Sequence, residues 1–161
     1  MSQPHTAAYH YAAVIERTAR GALAQLAGLS DDTLNRSAPI PEANTLYALA
    51  THLAGAGEYW SITLLGDRAP NRDRAAEFHA TGSLTDLTTR FERWLADLHA
   101  VLDSLPNEAL DRPIETPISP GWQPADEPLT VRDCLLHAVE HSALHLGHIQ
   151  LTTQLFRNGV W

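Results

Sequence analysis

The amino-acid sequence predicts an all-α protein, a four-helix bundle with a long proline-rich crossover before the last helix. Four stretches of the 161-residue chain repeat apolar side chains at helical spacing. Proline and glycine are frequent in the connections between these stretches, and the third connection is the longest. A chain of this length favours one domain, so we expect residues 1–161 to form a single bundle.

The first two helices are predicted from their apolar periodicity. The first runs from about Thr6 to Leu29 and the second from about Thr45 to Leu65. Asn44 precedes the second helix as a candidate N-cap, because its side chain can accept a hydrogen bond from a free backbone N–H. Two prolines lie in the segment between these helices, SDDTLNRSAPIPEAN, which is therefore predicted to be a loop.

The last two helices are predicted to begin with capping boxes. Ser83 with Asp86 three residues later opens the third helix, and Thr130 with Asp133 opens the fourth. Apolar residues of the third helix, spaced alternately three and four apart, are Leu84, Leu87, Phe91, Trp94, Leu98, Val101 and Leu105. This spacing indicates a seam that faces the core. The fourth helix is predicted to run to about Arg157.

The composition argues against several classes of function. A formal net charge of −8 disfavours a nucleic-acid partner and also binding to anionic membrane surfaces. The absence of lysine removes Schiff-base chemistry from consideration. The sequence has no run of 18 apolar residues and no signal-peptide pattern, so we expect no membrane partner and a cytoplasmic location.

The fourth helix carries a stripe of histidines within the segment LLHAVEHSALHLGHIQ. His137, His141, His145 and His148 follow one another at spacings of four, four and three. Residues four apart on a helix are neighbours, so two imidazoles at that spacing can bind one metal ion. His137 and His145 lie two turns apart, about 12 Å, and cannot share an ion without distortion. The spacing therefore leaves three pairs open: 137/141, 141/145 and 145/148.

The environment of the stripe is predicted from the apolar residues beside it. Leu144, Leu151 and Leu155 lie at helical spacing on the same side, which predicts a face turned towards the core. Buried imidazoles need a partner for each ring nitrogen, and a metal ion supplies one for several rings. The alternative is a set of exposed or separately hydrogen-bonded histidines. Cys134 lies close by and is expected to be a small buried hydrophobe.

His52 is the best candidate for a third metal ligand, since two histidines do not complete a site. It lies in the second helix within LATHLAGAGEYW, flanked by apolar residues. Small residues at positions 54–57 allow another backbone or a substrate to approach closely. The alternative interpretation is an ordinary core histidine that bonds to a polar group.

The segments HLAGAGEYW and LTVRDCLLHAVEHSALHLGHIQLTTQLF together resemble the DinB family, also called DinB/YfiT-like metal-dependent enzymes. The order of the helices matches as well, so the resemblance covers nearly the whole chain. It implies an up-down-down-up bundle, often dimeric, with a divalent metal held by three residues. Mapped onto this sequence, those ligands are His52, His141 and His145. His148 stands where the family commonly has glutamine, and it is a candidate proton carrier.

The resemblance also implies a type of chemistry. Relatives include S-transferases and isomerases that use bacillithiol or mycothiol, so we expect a metal-dependent enzyme with a low-molecular-weight thiol and a small-molecule substrate. Zinc or nickel is the expected ion, and a homodimer is the expected assembly. One alternative is a metal-dependent hydrolase. Another is a non-catalytic dimeric stress or interaction module stabilised by its metal.

Two structural features would discriminate between these functions. A pocket beside His52, roofed by residues 114–128 with Trp122, favours an enzyme. A fourth protein ligand or a sealed site favours the non-catalytic bundle.

Overall fold

Four long helices form the framework of the protein in the computed structural model, which describes residues 6–66, 71–115 and 128–160. The long helices are α1 (Ala7–Leu26), α3 (Leu46–Glu58), α5 (Leu84–Leu102) and α6 (Val131–Arg157), and the single-turn helices are α2 (Asp31–Leu34) and α4 (Arg74–Glu77). A π-helix (Tyr59–Thr63) continues α3, and a 3-10 helix (Asn107–Asp111) follows α5. The described ranges contain no β-strand, and the predicted all-α class is confirmed.

Side-chain contacts show that α1 and α5 run antiparallel. His99, near the end of α5, bonds to Glu16 of α1 at 2.9 Å. One turn further along α1, Arg20 pairs with Glu92, which lies two turns earlier in α5. The direction of α5 is therefore opposite to that of α1.

The other two helices complete the bundle on the opposite side. Glu58 pairs with Arg90 and Ser61 bonds to Trp94, so α3 runs parallel to α5. The ring of Trp60 packs on His137, whereas His52 packs on His145, so α6 runs antiparallel to α3. The four long helices are thus arranged up-down-down-up, as the family resemblance implies.

Capping residues set the beginnings of these helices. Both predicted capping boxes are present, at Ser83 and at Thr130. The prediction for α3 was wrong by one residue, because Thr45 and not Asn44 is the N-cap. The Thr45 hydroxyl accepts from the Ala48 backbone N–H at 3.0 Å, which satisfies one of the free donors of the first turn.

The predicted helix ends were too long in three cases. α1 ends at Leu26 instead of Leu29, because the backbone leaves the helical conformation at Ala27, where ψ is 131°. Gly28, with a left-handed φ of 79°, then allows a turn in which the Leu29 N–H donates to the Leu26 carbonyl oxygen at 3.1 Å. α5 ends at Leu102 instead of Leu105, and the α-helical part of α3 ends at Glu58. None of the helices described for the chain has the length and apolar character that crossing a membrane requires.

Trp94 fixes the junction of α3 and the π-helix against α5. Its indole N–H donates to the Ser61 hydroxyl, and that hydroxyl donates to the Gly57 carbonyl oxygen at 2.6 Å. Gly57 is required here, because a Cβ at this position would collide with the indole ring of Trp94. Trp94 is only 1% exposed, so this contact belongs to the core that holds α3 in place.

Candidate metal centre

The antiparallel packing of α3 on α6 brings three histidines together. His52, His141 and His145 each offer a ring nitrogen, and these nitrogens all lie within 4.8 Å of one another. The Nε2 atoms of His52 and His141 are 3.1 Å apart. Two nitrogens that bind one ion at about 2.0–2.1 Å each are separated by roughly 2.9–3.4 Å, depending on the angle between the bonds. The observed separation fits that range.

The other two histidines of the stripe flank this cluster. His137 packs on Trp60 with ring centroids 4.4 Å apart, one turn before His141. His148 is exposed, and its ring centroid lies 5.3 Å from that of His145. Neither residue belongs to the group of three converging nitrogens.

The histidine stripe lies at the margin of the core, and the prediction that Leu144 and Leu151 mark a core-facing side was wrong. His141 and His145 are partly buried, but Leu144 and Leu151 are 55% and 58% exposed. The reason is that α6 packs mainly against α1 and α3, which leaves its outer face uncovered. The cluster is therefore positioned between the core and the surface.

Glu77 orients His52 from the side opposite the cluster. Its Oε2 accepts a hydrogen bond from His52 Nδ1 at 2.7 Å, and Arg72 donates to both carboxylate oxygens at 2.6 and 2.8 Å. Burial alone would raise the pKa of the Glu77 carboxyl, but the hydrogen bonds from Arg72 and His52 lower it to about 2. An ionised Glu77 fixes the proton on Nδ1, so the Nε2 of a neutral His52 presents its lone pair to the cluster.

Sequence reasoning missed Glu77, which comes from a connector that reads as polar and exposed. The single turn α4 positions it, with Asp73 as the N-cap that accepts from the Ala76 backbone N–H at 3.0 Å. Gly55 makes room for it, because a Cβ there would collide with the Glu77 carboxylate. The small residue therefore admits a side chain and not the backbone or substrate that we expected.

The chemistry of the cluster suits a metal ion. Burial, with smaller contributions from neighbouring histidines, lowers the pKa of His141 to about 3. Burial likewise lowers the pKa of His145 to about 4. Both rings are therefore neutral near pH 7, which is the form that binds metals. His145 Nδ1 is buried and lacks a hydrogen-bond partner among the described residues. Such an atom is costly unless something binds it. The three histidines therefore fit a divalent ion.

A cavity of about 480 Å³ lies beside this centre, on the Arg72 side of Glu77. Glu77 lines it, but none of the three histidines does. The predicted roof cannot be assigned to it, since Trp122 and most of the crossover fall outside the described residues. We expected a pocket next to His52. The structure has a cavity nearby, but Glu77 lies between this cavity and the His52 ring.

The fold and the site together define a class of protein, an up-down-down-up four-helix bundle with a candidate metal centre between its second and last long helices. The family model of the DinB superfamily matches residues 15–149, and the chain belongs to this superfamily. The matched range includes His52, His141 and His145.

A solved structure shows the same fold. The protein is similar to the crystal structure of a conserved protein from Enterococcus faecalis, with a TM-score of 0.75 and 18% sequence identity. The similarity covers 94% of this chain and 98% of that chain. A search of curated proteins gave no match.

Proposed function

We propose that the protein is a divalent-metal-dependent enzyme that uses a low-molecular-weight thiol in an S-transfer reaction. In this proposal His52, His141 and His145 are the three metal ligands. The observation that supports it is the convergence of their nitrogens within 4.8 Å, with Glu77 holding the outer nitrogen of His52. A carboxylate behind a ligating histidine is the usual way to fix the ring and raise its basicity.

The number of converging side chains favours an enzyme over a metal-stabilised structural bundle. Three ligands leave a coordination position open, whereas structural zinc sites use four protein ligands. In the part of the chain that the structure describes, no fourth His, Cys, Asp or Glu joins the group. Imidazole ligands suit zinc and nickel, the two ions we expect. When bound, the ion would hold the cofactor thiol as a thiolate at neutral pH.

The protein's own thiol is unsuited to act as the nucleophile, which supports an external thiol. Cys134 is the single cysteine of the chain, and it is fully buried. Burial raises the pKa of its thiol to about 12, so a thiolate is not formed near neutral pH. His148, exposed beside His145, is the proposed proton carrier for the external thiol.

Metal analysis after reconstitution with zinc or nickel tests the ligand assignment. We expect one ion per chain in the wild type and in His79→Ala, which changes an exposed histidine outside the cluster. We expect none in His141→Ala, because it removes one of the two Nε2 atoms that lie 3.1 Å apart in the cluster. Unchanged metal content in His141→Ala would refute the assignment of His141 as a metal ligand.

The reaction class needs a separate assay. Bacillithiol, mycothiol and glutathione are each supplied with 1-chloro-2,4-dinitrobenzene, and the thioether is measured. We expect one thiol to give turnover in the metal-loaded wild type and only background in His141→Ala. Background rates with all three thiols would refute S-transfer and leave the assignment of the metal ligands unaffected.

The homodimer and the physiological small-molecule substrate stay predictions.

A further inference from the structure

A cavity of about 480 Å³ lies between α3, the π-helix, α4 and α5. This volume falls within the usual range for small-molecule sites, about 300–1,000 Å³. The charged residues that line it are Glu58, Arg72, Asp73 and Arg90, together with the shared wall residue Glu77. The histidine cluster lies outside this lining, so the cavity is a candidate site distinct from the cluster.

The two arginines of the cavity each hold one carboxylate with one edge of the guanidinium group. Arg72 uses Nε and Nη2 on Glu77, and Arg90 uses Nε and Nη2 on Glu58 at 3.0 and 2.7 Å. Such bidentate pairs occupy both oxygens of each carboxylate. The Nη1 atoms of Arg72 and Arg90 form no hydrogen bond to any residue in the described ranges. Two arginines of the lining therefore each keep an Nη1 group unused, while the oxygens of Glu58 and Glu77 already accept hydrogen bonds.

The geometry of both arginines is fixed before any ligand arrives. The guanidinium of Arg72 lies over the ring of Tyr59, 5.7 Å from its centroid. Nη2 of Arg90 lies against Gly55, 3.2 Å from the position that a Cβ would take. A ligand thus meets donors whose conformational entropy has already been lost, which lowers the cost of binding.

The remaining groups add further donors. Burial raises the pKa of the Tyr59 phenol, so its O–H stays protonated near neutral pH. Thr51 and Thr63 add hydroxyl groups to the same lining. Asp73 is the carboxylate without an arginine, but it is exposed at the rim and caps α4.

We propose that this cavity is a second ligand site, separate from the histidine cluster, which binds a small organic anion carrying carboxylate groups. The Nη1 atoms of Arg72 and Arg90 are the groups that recognise the ligand. The ligand needs to displace neither Glu77 nor Glu58. Binding at this site does not depend on the proposed metal or on the proposed reaction.

Calorimetric titration of the metal-free protein tests the class of ligand. Succinate is the probe, succinamide is its neutral analogue, and putrescine is a dication of similar length. We expect one succinate per chain, with succinamide weaker by roughly tenfold or more, because charged hydrogen bonds are about twice as strong as neutral ones. No heat from succinate, equal binding of succinamide, or preference for putrescine would each overturn the proposal.

A matched pair of variants locates the site. Ala76 and Ala75 are both exposed on α4, but only Ala76 lines the cavity. Ala76→Glu places a negative charge at the cavity without breaking an ion pair, so we expect succinate to bind roughly tenfold more weakly. Ala75→Glu adds the same charge nearby and should bind like the wild type. Equal affinities in the two variants would refute the location, and circular dichroism establishes that both are folded.

Arg90→Gln tests the donor directly, with Arg93→Gln as its control. Arg93 is exposed on the same helix and does not line the cavity. We expect Arg90→Gln to lose succinate binding and Arg93→Gln to keep it. Wild-type affinity in a folded Arg90→Gln variant would contradict the proposed role of Arg90.

Discussion

Within the described ranges, His52 and His99 both contact carboxylates, and they do so in opposite surroundings. His52 bonds to Glu77 at 2.7 Å, with side-chain exposures of 4% and 7%. His99 bonds to Glu16 at 2.9 Å and to Asp103 at 3.0 Å, and its side chain is 30% exposed. The first contact joins α3 to α4 behind the candidate metal centre, and the second joins α1 to α5 at the surface.

The number of carboxylates around each ring gives the two histidines different chemistry. Both nitrogens of His99 face carboxylate oxygens, so both hydrogen bonds form only when the ring carries two protons. His52 has a carboxylate at Nδ1 alone, and its Nε2 faces His141. A ring with one carboxylate keeps a lone pair that a metal can use. Two carboxylates favour the protonated ring, which then bonds to both and links two helices.

Removal of Glu77 should give the largest effect on stability. Glu77→Ala leaves Arg72 without a counter-charge, and the Arg72 side chain is only 16% exposed. We expect the free energy of unfolding to fall by about 3–5 kcal/mol, as is usual when one partner of a buried pair is lost. Urea denaturation of the metal-free protein measures it. Glu16→Ala, at the surface pair, should cost less than about 1 kcal/mol. Similar losses of unfolding free energy in Glu77→Ala and Glu16→Ala would contradict the difference between the buried and the surface pair.

A conservative substitution of Glu77 separates its role in orienting His52 from its role in the stability of the fold. Glu77→Gln keeps the shape of the side chain, but its amide presents N–H groups to Arg72 and no longer fixes the His52 proton. We expect metal affinity to fall by about 10–100-fold, the usual cost of losing such a partner. Competition with a coloured chelator measures the affinity. Glu16→Gln should bind metal as the wild type does, and a wild-type affinity for Glu77→Gln would refute the role of Glu77.

Two helical glycines test how closely the buried pair is packed. A Cβ at Gly55 would collide with Glu77, whereas a Cβ at Gly147 of α6 meets nothing within 4 Å. We expect Gly55→Ala to destabilise the fold by about 1–3 kcal/mol through overpacking. Gly147→Ala should stabilise it by about 0.5–1 kcal/mol through helix propensity. Thermal unfolding of both variants measures this difference, and effects of the same sign would be inconsistent with the packing around Gly55.

The framework of the bundle could be predicted from the sequence because its signals are local. The capping boxes of Ser83 with Asp86 and of Thr130 with Asp133 each depend on residues three apart. The π-helix after α3 could not be predicted in this way. Its Ser61 is held by Trp94, which lies 33 residues away in α5, and no pattern within the segment records that contact.

The candidate site likewise contains residues that local sequence patterns predict and residues that they do not. His141 and His145 follow from helical spacing together with the family resemblance, and the structure brings them to His52. Glu77 lies 25 residues from His52 in a polar connector, and its burial depends on the space at Gly55. Nothing near Glu77 in the sequence distinguishes it from an exposed carboxylate. The groups that orient the candidate centre therefore emerge only from tertiary packing.

The contacts of His99 with Glu16 and Asp103 should affect the pH dependence of stability. We expect this effect to be the smallest of those predicted here. Asp103 and then Glu16 raise the pKa of His99 above its ordinary value of 6.5 through hydrogen bonds. The protonated ring is favoured in the folded state, so its contribution is fully present below pH 6.5. It is lost as the pH rises through the raised pKa.

His99→Gln tests this pH dependence against His79→Gln, a change at an exposed histidine. Because His99 is partly exposed, the unfolding free energy of His99→Gln should fall below that of the wild type by less than about 1 kcal/mol at pH 5.5. The gap should be smaller at pH 9, because the wild-type ring loses its proton as the pH rises through the raised pKa. Urea denaturation at the two pH values measures it. A gap that grows with pH would mean that His99 acts in its neutral form, and the distinction between one and two carboxylates would then fail.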